Sequence, residues 1–138
     1  GLLRHNLQQT DLGELVEVRS AGTRASQPGC RPDQRAQKVA ALRGINLSRI
    51  RARRVTERDL VRSDFIFAMD ESNFRDLTEM CPMEHREKLS LLLSHHRGQP
   101  MMEVPDPYFG SIEGFERVFQ LLDAAMDDLI SYLRSRIQ

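Results

Sequence analysis

The clearest apolar pattern lies at the end of the chain. Apolar side chains recur every three or four positions from Phe115 to Ile137, which predicts a long helix packed along a sheet. The segment 64–70, DFIFAMD, is instead a nearly continuous apolar run, typical of a strand covered on both faces. The segment 87–93, EKLSLLL, is interpreted as another buried strand, although periodicity alone also allows a helix continuing from Pro82.

Shorter patterns fill the first half of the chain. Leu2, Leu3 and Leu7 share one helical face, and because no capping residue precedes them the chain is predicted to open inside a helix. The segment from Leu15 to Arg19 is predicted to be a short strand that ends in the small residues SAGT. Three further helices are predicted to start at Asp33, at Thr56 in the capping-box-like TERD, and at Glu71.

Strands and helices alternate along the whole chain. This alternation predicts an α/β fold, a small doubly wound parallel sheet with helices on both faces. No repeat or linker divides residues 1–138, so a single domain is expected. In such sheets the working site lies beyond the carboxyl ends of the strands, and we therefore expect Ser20, Asp70 and Asp106 to emerge along one edge.

Charge and cysteine content narrow the classes of partner. The 138 residues include 20 basic and 20 acidic side chains, so the chain has no overall charge that would attract nucleic acid or an anionic membrane. No run of about 18 apolar residues is present, and the first residues lack the apolar core of a signal peptide. The 2 cysteines are too few for a disulfide framework and favour a reducing, cytoplasmic setting.

A local basic run is the exception to this charge balance. It is interpreted as a solvated face balanced by Glu57 and Asp59, with attraction of phosphorylated or acidic partners as the alternative. Its members are Arg49, Arg51, Arg53, Arg54, Arg58 and Arg62.

An unusual loop precedes the last helix. In EVPDPYFG, residues 103–110, Asp106 stands between two prolines and is followed by two aromatic residues. By itself, an Asp between prolines is typical of turn chemistry. A function for this carboxyl group therefore needs support from other parts of the chain.

That support comes from motifs that occur in a fixed order. They are SAGT, DQRA, ARRVTERDL, FIFAMDESNFRDL and VPDPYFG followed by GFERVFQLL. With them, the chain from about Leu15 to its C-terminus resembles the low-molecular-weight protein tyrosine phosphatases. The resemblance implies a small doubly wound sheet and hydrolysis of phosphate monoesters through a cysteinyl-phosphate intermediate, without a metal or other cofactor. The implied substrates are phosphotyrosine in proteins and small aryl phosphates.

The resemblance also implies roles for individual residues. Asp106 would be the general acid that protonates the leaving phenolate and then, as a carboxylate, the base that activates water. The flanking prolines would restrict the loop and help to aim this side chain. Tyr108 and Phe109 would form an aromatic wall against the substrate ring. The hydroxyl group of Ser20 would help to hold the nucleophile loop and its thiolate.

The nucleophile loop of the family is not found in this sequence. The family carries Cys, five residues, Arg and then Ser or Thr, after the first strand and at the start of the first helix, where backbone N–H groups and Arg bind phosphate. Cys30 is followed by Arg35 and Cys81 by Arg86, each one residue short of this spacing. Both cysteines are therefore interpreted as structural or incidental.

This comparison predicts that the chain is N-terminally incomplete. The central first strand of a 2-1-3-4 sheet and the cysteine loop are expected to precede Gly1, and the chain as given is expected to be inactive. The alternative is a catalytically dead binding module derived from a phosphatase. Two positions also depart from the family: Ser26 replaces a common aromatic residue that faces the substrate, and Ile50 replaces a His that supports the nucleophile loop. The sequence leaves the oligomeric state open.

Overall fold

The computed structural model describes residues 1–24, 27–98 and 102–137. The α-helices are α1 (Leu2–Leu7), α2 (Gln34–Ala41), α3 (Glu57–Arg62), α4 (Glu71–Met80) and α5 (Ile112–Ile137), and the strands are β1 (Ile66–Ala68) and β2 (Leu89–Leu91). Two 3₁₀ helices, Met83–Lys88 and Leu92–His95, flank β2.

The sheet in the described part of the chain is parallel but smaller than predicted. β1 pairs with β2, so that Ile66 lies opposite Leu89 and Ala68 opposite Leu91. The predicted strands over 64–70 and 87–93 are confirmed at their centres. The second is short because 3₁₀ turns take up the residues on both sides of it.

The predicted strand from Leu15 to Arg19 is wrong for the described residues. No described residue pairs with this segment in a ladder, and the closest pairing is an isolated parallel bridge between Gly22 and Arg54. The carbonyl oxygen of Val18 instead accepts a hydrogen bond from Nη2 of Arg4, at 2.6 Å. A strand exists only through hydrogen bonds to a neighbouring strand, so an apolar pattern without such a partner does not suffice.

Helices cover both faces of the sheet because successive strand residues point in opposite directions. The side chain of Phe67 packs against the cluster that contains Leu93 and Leu129, to which α5 and α1 contribute. Its neighbours Ile66 and Ala68 pack in a second cluster with residues of α3 and α4. The predicted α/β fold with helices and a parallel sheet is thus confirmed.

Three of the predicted helix starts are fixed by local capping. Asp33 accepts a hydrogen bond from the backbone N–H of Arg35, and Thr56 forms a reciprocal capping box with Asp59. Asp70 accepts from the N–H of Asn73 at 2.7 Å. Each cap stabilises its helix by about 1 kcal/mol, and this places the start of α4 directly after β1.

None of the helices in residues 1–24, 27–98 and 102–137 combines the length and the apolar character needed to span a lipid bilayer.

Candidate active site

A cavity of about 620 Å³ opens where β1 ends and α4 begins. Its walls come from the start of α4, from the Pro-Asp-Pro loop (residues 103–110) and from three loops in the first half of the chain. The lining residues are Ser20, Ala21, Gly22, Thr23, Arg24, Cys30, Arg31, Pro32, Ile50, Arg51, Ala52, Arg53, Asp70, Ser72, Asn73 and Asp106.

The cavity brings together three residues that the sequence had placed at one edge, namely Ser20, Asp70 and Asp106. Tyr108 and Phe109 are not among the lining residues. Their rings meet edge to face with centroids 5.1 Å apart, and they are 59% and 96% exposed. Ser26 lies outside the described residues.

Asp70 caps α4, and the first turn of this helix also fixes the loop that follows Ser20. The side-chain amide of Asn73 donates a hydrogen bond to the hydroxyl oxygen of Thr23, at 3.1 Å. This bond connects residues 50 positions apart in the chain. Asn73 was not predicted as a site residue, although it is the last residue of the DESN motif.

The Pro-Asp-Pro loop is anchored to the end of β1. The backbone N–H of Val104 donates to the carbonyl oxygen of Met69 at 2.8 Å, and the Val104 side chain is buried. Two residues further on, Asp106 is exposed and its Oδ1 accepts the N–H of Tyr108 at 3.0 Å. The carboxyl group thus stabilises its own turn while it lines the cavity.

Arg35, on the first turn of α2, attaches the far end of this loop. Its guanidinium donates to the carbonyl oxygens of Gly110 at 2.6 Å and Tyr108 at 2.9 Å. The same group forms hydrogen bonds of 3.0 and 2.8 Å to the two carboxylate oxygens of Asp33, and it stacks 4.4 Å from the ring centroid of Phe115. The hydrogen bond from Arg35 lowers the pKa of Asp33, which keeps this pair charged.

Comparison with known proteins identifies the family. The family model described as low molecular weight phosphotyrosine protein phosphatase matches residues 1–138. The chain belongs to this phosphatase family.

Individual relatives agree with this assignment. The low molecular weight protein-tyrosine-phosphatase of Streptomyces coelicolor is 31% identical over 140 residues, which cover 99% of this chain and 85% of the relative. The human low molecular weight phosphotyrosine protein phosphatase is 33% identical over 120 residues, covering 86% of this chain and 75% of the relative. The crystal structure of a protein tyrosine phosphatase from Entamoeba histolytica superposes with a TM-score of 0.93 at 32% identity, covering 99% of this chain and 87% of that chain.

The cysteines of this phosphatase-family chain have different surroundings. Cys81 is 3% exposed, ends α4 and packs in the core cluster of Leu60 and Leu77. Cys30 is exposed and lines the cavity, and its Sγ donates to the side-chain oxygen of Gln27 at 3.4 Å. Cys30 also lies four positions before the first residue of α2, so it does not open that helix.

Among the described residues, no group of three or more His, Cys, Asp or Glu side chains is arranged to hold a metal ion.

Arg53, in the cavity wall, is held by an ion pair. Nη1 and Nη2 of Arg53 donate to the carboxylate of Asp59 at 2.9 and 3.2 Å. Hydrogen bonding from Arg53 is the main reason why the pKa of Asp59 falls from 3.8 to about 2, and the N–H of Thr56, which donates to the same carboxylate, lowers this pKa further.

We expect Asp59→Asn to lower the free energy of unfolding by about 1 kcal/mol at pH 7, because the pair is partly exposed to solvent. The pKa of Asp59 is lower in the folded state than in the unfolded state. The stabilisation is therefore complete above pH 3.8 and is lost as the pH falls through about 2. Urea unfolding of both proteins between pH 7 and pH 2 measures this difference.

Asp64→Asn is the matched control, because Asp64 is exposed and forms no ion pair with any described residue. A difference between Asp59→Asn and the unsubstituted protein that stayed constant down to pH 2 would contradict the assignment.

Proposed function

We propose that this chain contributes the substrate cavity and the general acid/base of a protein tyrosine phosphatase that hydrolyses phosphotyrosine and aryl phosphate monoesters. Membership of the family supports the class of reaction. The observation that carries the proposal further is the shared cavity of Asp106, Ser20 and Asp70 at the end of β1. Phosphotyrosine proteins are its substrates, and the reaction belongs to the cytoplasm.

The reaction has two steps in which Asp106 exchanges one proton. First, a cysteine thiolate attacks phosphorus, the bond from phosphorus to the phenolic oxygen breaks, and the Asp106 carboxylic acid protonates the departing oxygen. Then water attacks the phosphocysteine, Asp106 takes the proton from that water, and inorganic phosphate leaves with the thiolate regenerated. The group is exposed at the cavity, so both the leaving group and the water can reach it.

The nucleophilic cysteine in this proposal comes from polypeptide that precedes Gly1. Cys81 is excluded by its burial, and Cys30 is followed by Arg35, one residue short of the family spacing. Arg35 is moreover engaged with Asp33 and the Pro-Asp-Pro loop, so it cannot also cradle a phosphate beside Cys30. Ser20 supports the nucleophile loop, and Tyr108 and Phe109 are the exposed aromatic surface against which the substrate ring packs.

The phosphoenzyme intermediate tests this assignment directly. In the full-length protein as its natural gene encodes it, we expect a burst of phenol release and a phosphocysteine that peptide mass spectrometry places upstream of Gly1. Cys30→Ser and Cys81→Ser should both retain the burst.

A phosphocysteine at Cys30 would refute the upstream nucleophile. A full-length protein with no burst and no turnover would instead favour the catalytically dead binding module.

A further inference from the structure

We infer that the rim of the cavity selects phosphotyrosine substrates with acidic residues beside the phosphorylated tyrosine. This inference rests on the proposed function and names the substrate class of the same site.

The cavity wall is locally basic in a chain whose formal net charge is zero. Four arginines line it, Arg24, Arg31, Arg51 and Arg53, against the two carboxylates of Asp70 and Asp106. The lining thus contains four guanidinium groups and two carboxylates, and those guanidinium groups that are not paired with a carboxylate can attract an anionic ligand.

Two of these arginines are already paired with carboxylates. Arg53 is bound to Asp59, and Nε of Arg24 donates to Asp76 at 3.2 Å. The charges of this pair of arginines are thus largely offset, and the inference depends on the other two.

Arg31 and Arg51 are both exposed, and neither forms an ion pair with a described residue. Two backbone hydrogen bonds hold their segments side by side. The N–H of Ala52 donates to the carbonyl oxygen of Cys30 at 2.8 Å, and the N–H of Gly29 donates to that of Ala52 at 2.7 Å. The two guanidinium groups consequently belong to adjacent stretches of the same rim.

Arg51 is also held in place by its own loop. Its Nη1 donates to the carbonyl oxygens of Ser48 at 2.6 Å and Ile50 at 2.9 Å. A guanidinium has five N–H donors in a planar fork, so the contacts of this one nitrogen leave donors for a carboxylate. A fixed guanidinium also loses less conformational entropy when it binds a ligand.

These features match an acidic peptide that leaves its phosphotyrosine in the cavity. Aspartate or glutamate side chains next to the phosphotyrosine reach the rim, where guanidinium and carboxylate form charge-assisted hydrogen bonds. Because the rim is exposed, each contact contributes modestly, and the two together give a preference of about five- to tenfold.

The test uses the full-length natural protein and two phosphotyrosine peptides that differ only in their flanking residues, Asp and Glu in one and Asn and Gln in the other. We expect kcat/KM to be about five- to tenfold higher for the acidic peptide. In the double variant R31Q/R51Q the ratio of the two kcat/KM values should fall to about one. The matched control R58Q/R62Q removes two exposed arginines that do not line the cavity, and it should keep the ratio of the unsubstituted protein.

Salt provides a second measurement that needs no variant. The acidic preference of the unsubstituted protein should shrink strongly in 1 M NaCl, where the Debye length is about 3 Å. A ratio near one at low salt, with para-nitrophenyl phosphate still hydrolysed, would overturn the rim inference and leave the proposed function standing. Failure to hydrolyse para-nitrophenyl phosphate as well as both peptides would overturn the proposed function and this inference with it.

Discussion

Replacing Asp106 with Ala is expected to lower kcat/KM for a phosphotyrosine peptide by about 10²- to 10³-fold in the full-length protein. Tyrosine is a poor leaving group, so its departure depends on a proton delivered as the bond to phosphorus breaks. The para-nitrophenolate ion is stable without that proton, so kcat/KM for para-nitrophenyl phosphate, which reports the reaction only up to release of the phenol, should fall much less. Steady-state kinetics with both substrates gives the ratio that identifies the acid.

Asp106→Asn separates this chemistry from the structure of the loop. The amide oxygen can still accept the N–H of Tyr108, which Oδ1 of Asp106 accepts at 3.0 Å, but the amide cannot donate and recover a proton in the same way. We therefore expect kcat/KM for the phosphotyrosine peptide to be nearly as low in Asp106→Asn as in Asp106→Ala, while the loop keeps its conformation. Glu103→Ala is the matched control, since it removes an exposed carboxylate from the same loop outside the cavity wall. An equal fall in kcat/KM for both substrates in Asp106→Ala would remove Asp106 from the acid role.

The helix starts were predictable because capping is a local interaction. Asp33, Thr56 and Asp70 each bond to a backbone N–H two or three positions further on, so the sequence around each residue contains the whole signal. The segment from Leu15 to Arg19 shows the opposite case. Its apolar pattern suits a strand, but strand formation depends on a partner that no local pattern can specify.

The candidate site was predictable in position more than in detail. The rule that parallel strands present their carboxyl ends at one edge was enough to group Asp70 with Asp106. Arg35 was not predicted, because it contacts the Pro-Asp-Pro loop across 75 positions of sequence to Gly110. The only nearby partner of Arg35 in the sequence is Asp33, two positions earlier, and Asp33 by itself indicates only a helix cap.

Replacing Arg35 with Met is expected to lower kcat/KM for the phosphotyrosine peptide by about ten- to a hundredfold. The substitution removes the two hydrogen bonds to Tyr108 and Gly110 but keeps an apolar stem over Phe115. It also keeps the cap of α2, since Asp33 accepts the backbone N–H of residue 35.

In Arg35→Met, Asp106 lies in a loop that is held at Val104 but not at its far end, so its carboxyl group is in position for a smaller fraction of the time. Steady-state kinetics with leaving groups of graded basicity measures the effect, which should grow as the leaving group becomes more basic.

A structural role for Arg35 alone would produce a different result, and Arg43 supplies the comparison. Arg43 also stacks on a phenylalanine of α5, Phe119, at 4.6 Å, and it pairs with the carboxylate of Glu116. Arg43→Met should therefore destabilise the protein about as much as Arg35→Met, since each removes a partly exposed ion pair and a cation–π contact with α5. Among the described residues, however, Arg43 has no hydrogen bond to the Pro-Asp-Pro loop, so Arg43→Met should leave the dependence on leaving-group basicity unchanged. If the two variants lost similar stability and showed the same dependence of kcat/KM on leaving-group basicity, Arg35 would have only a packing role. A steeper dependence for Arg35→Met alone would identify Arg35 as the residue that positions Asp106.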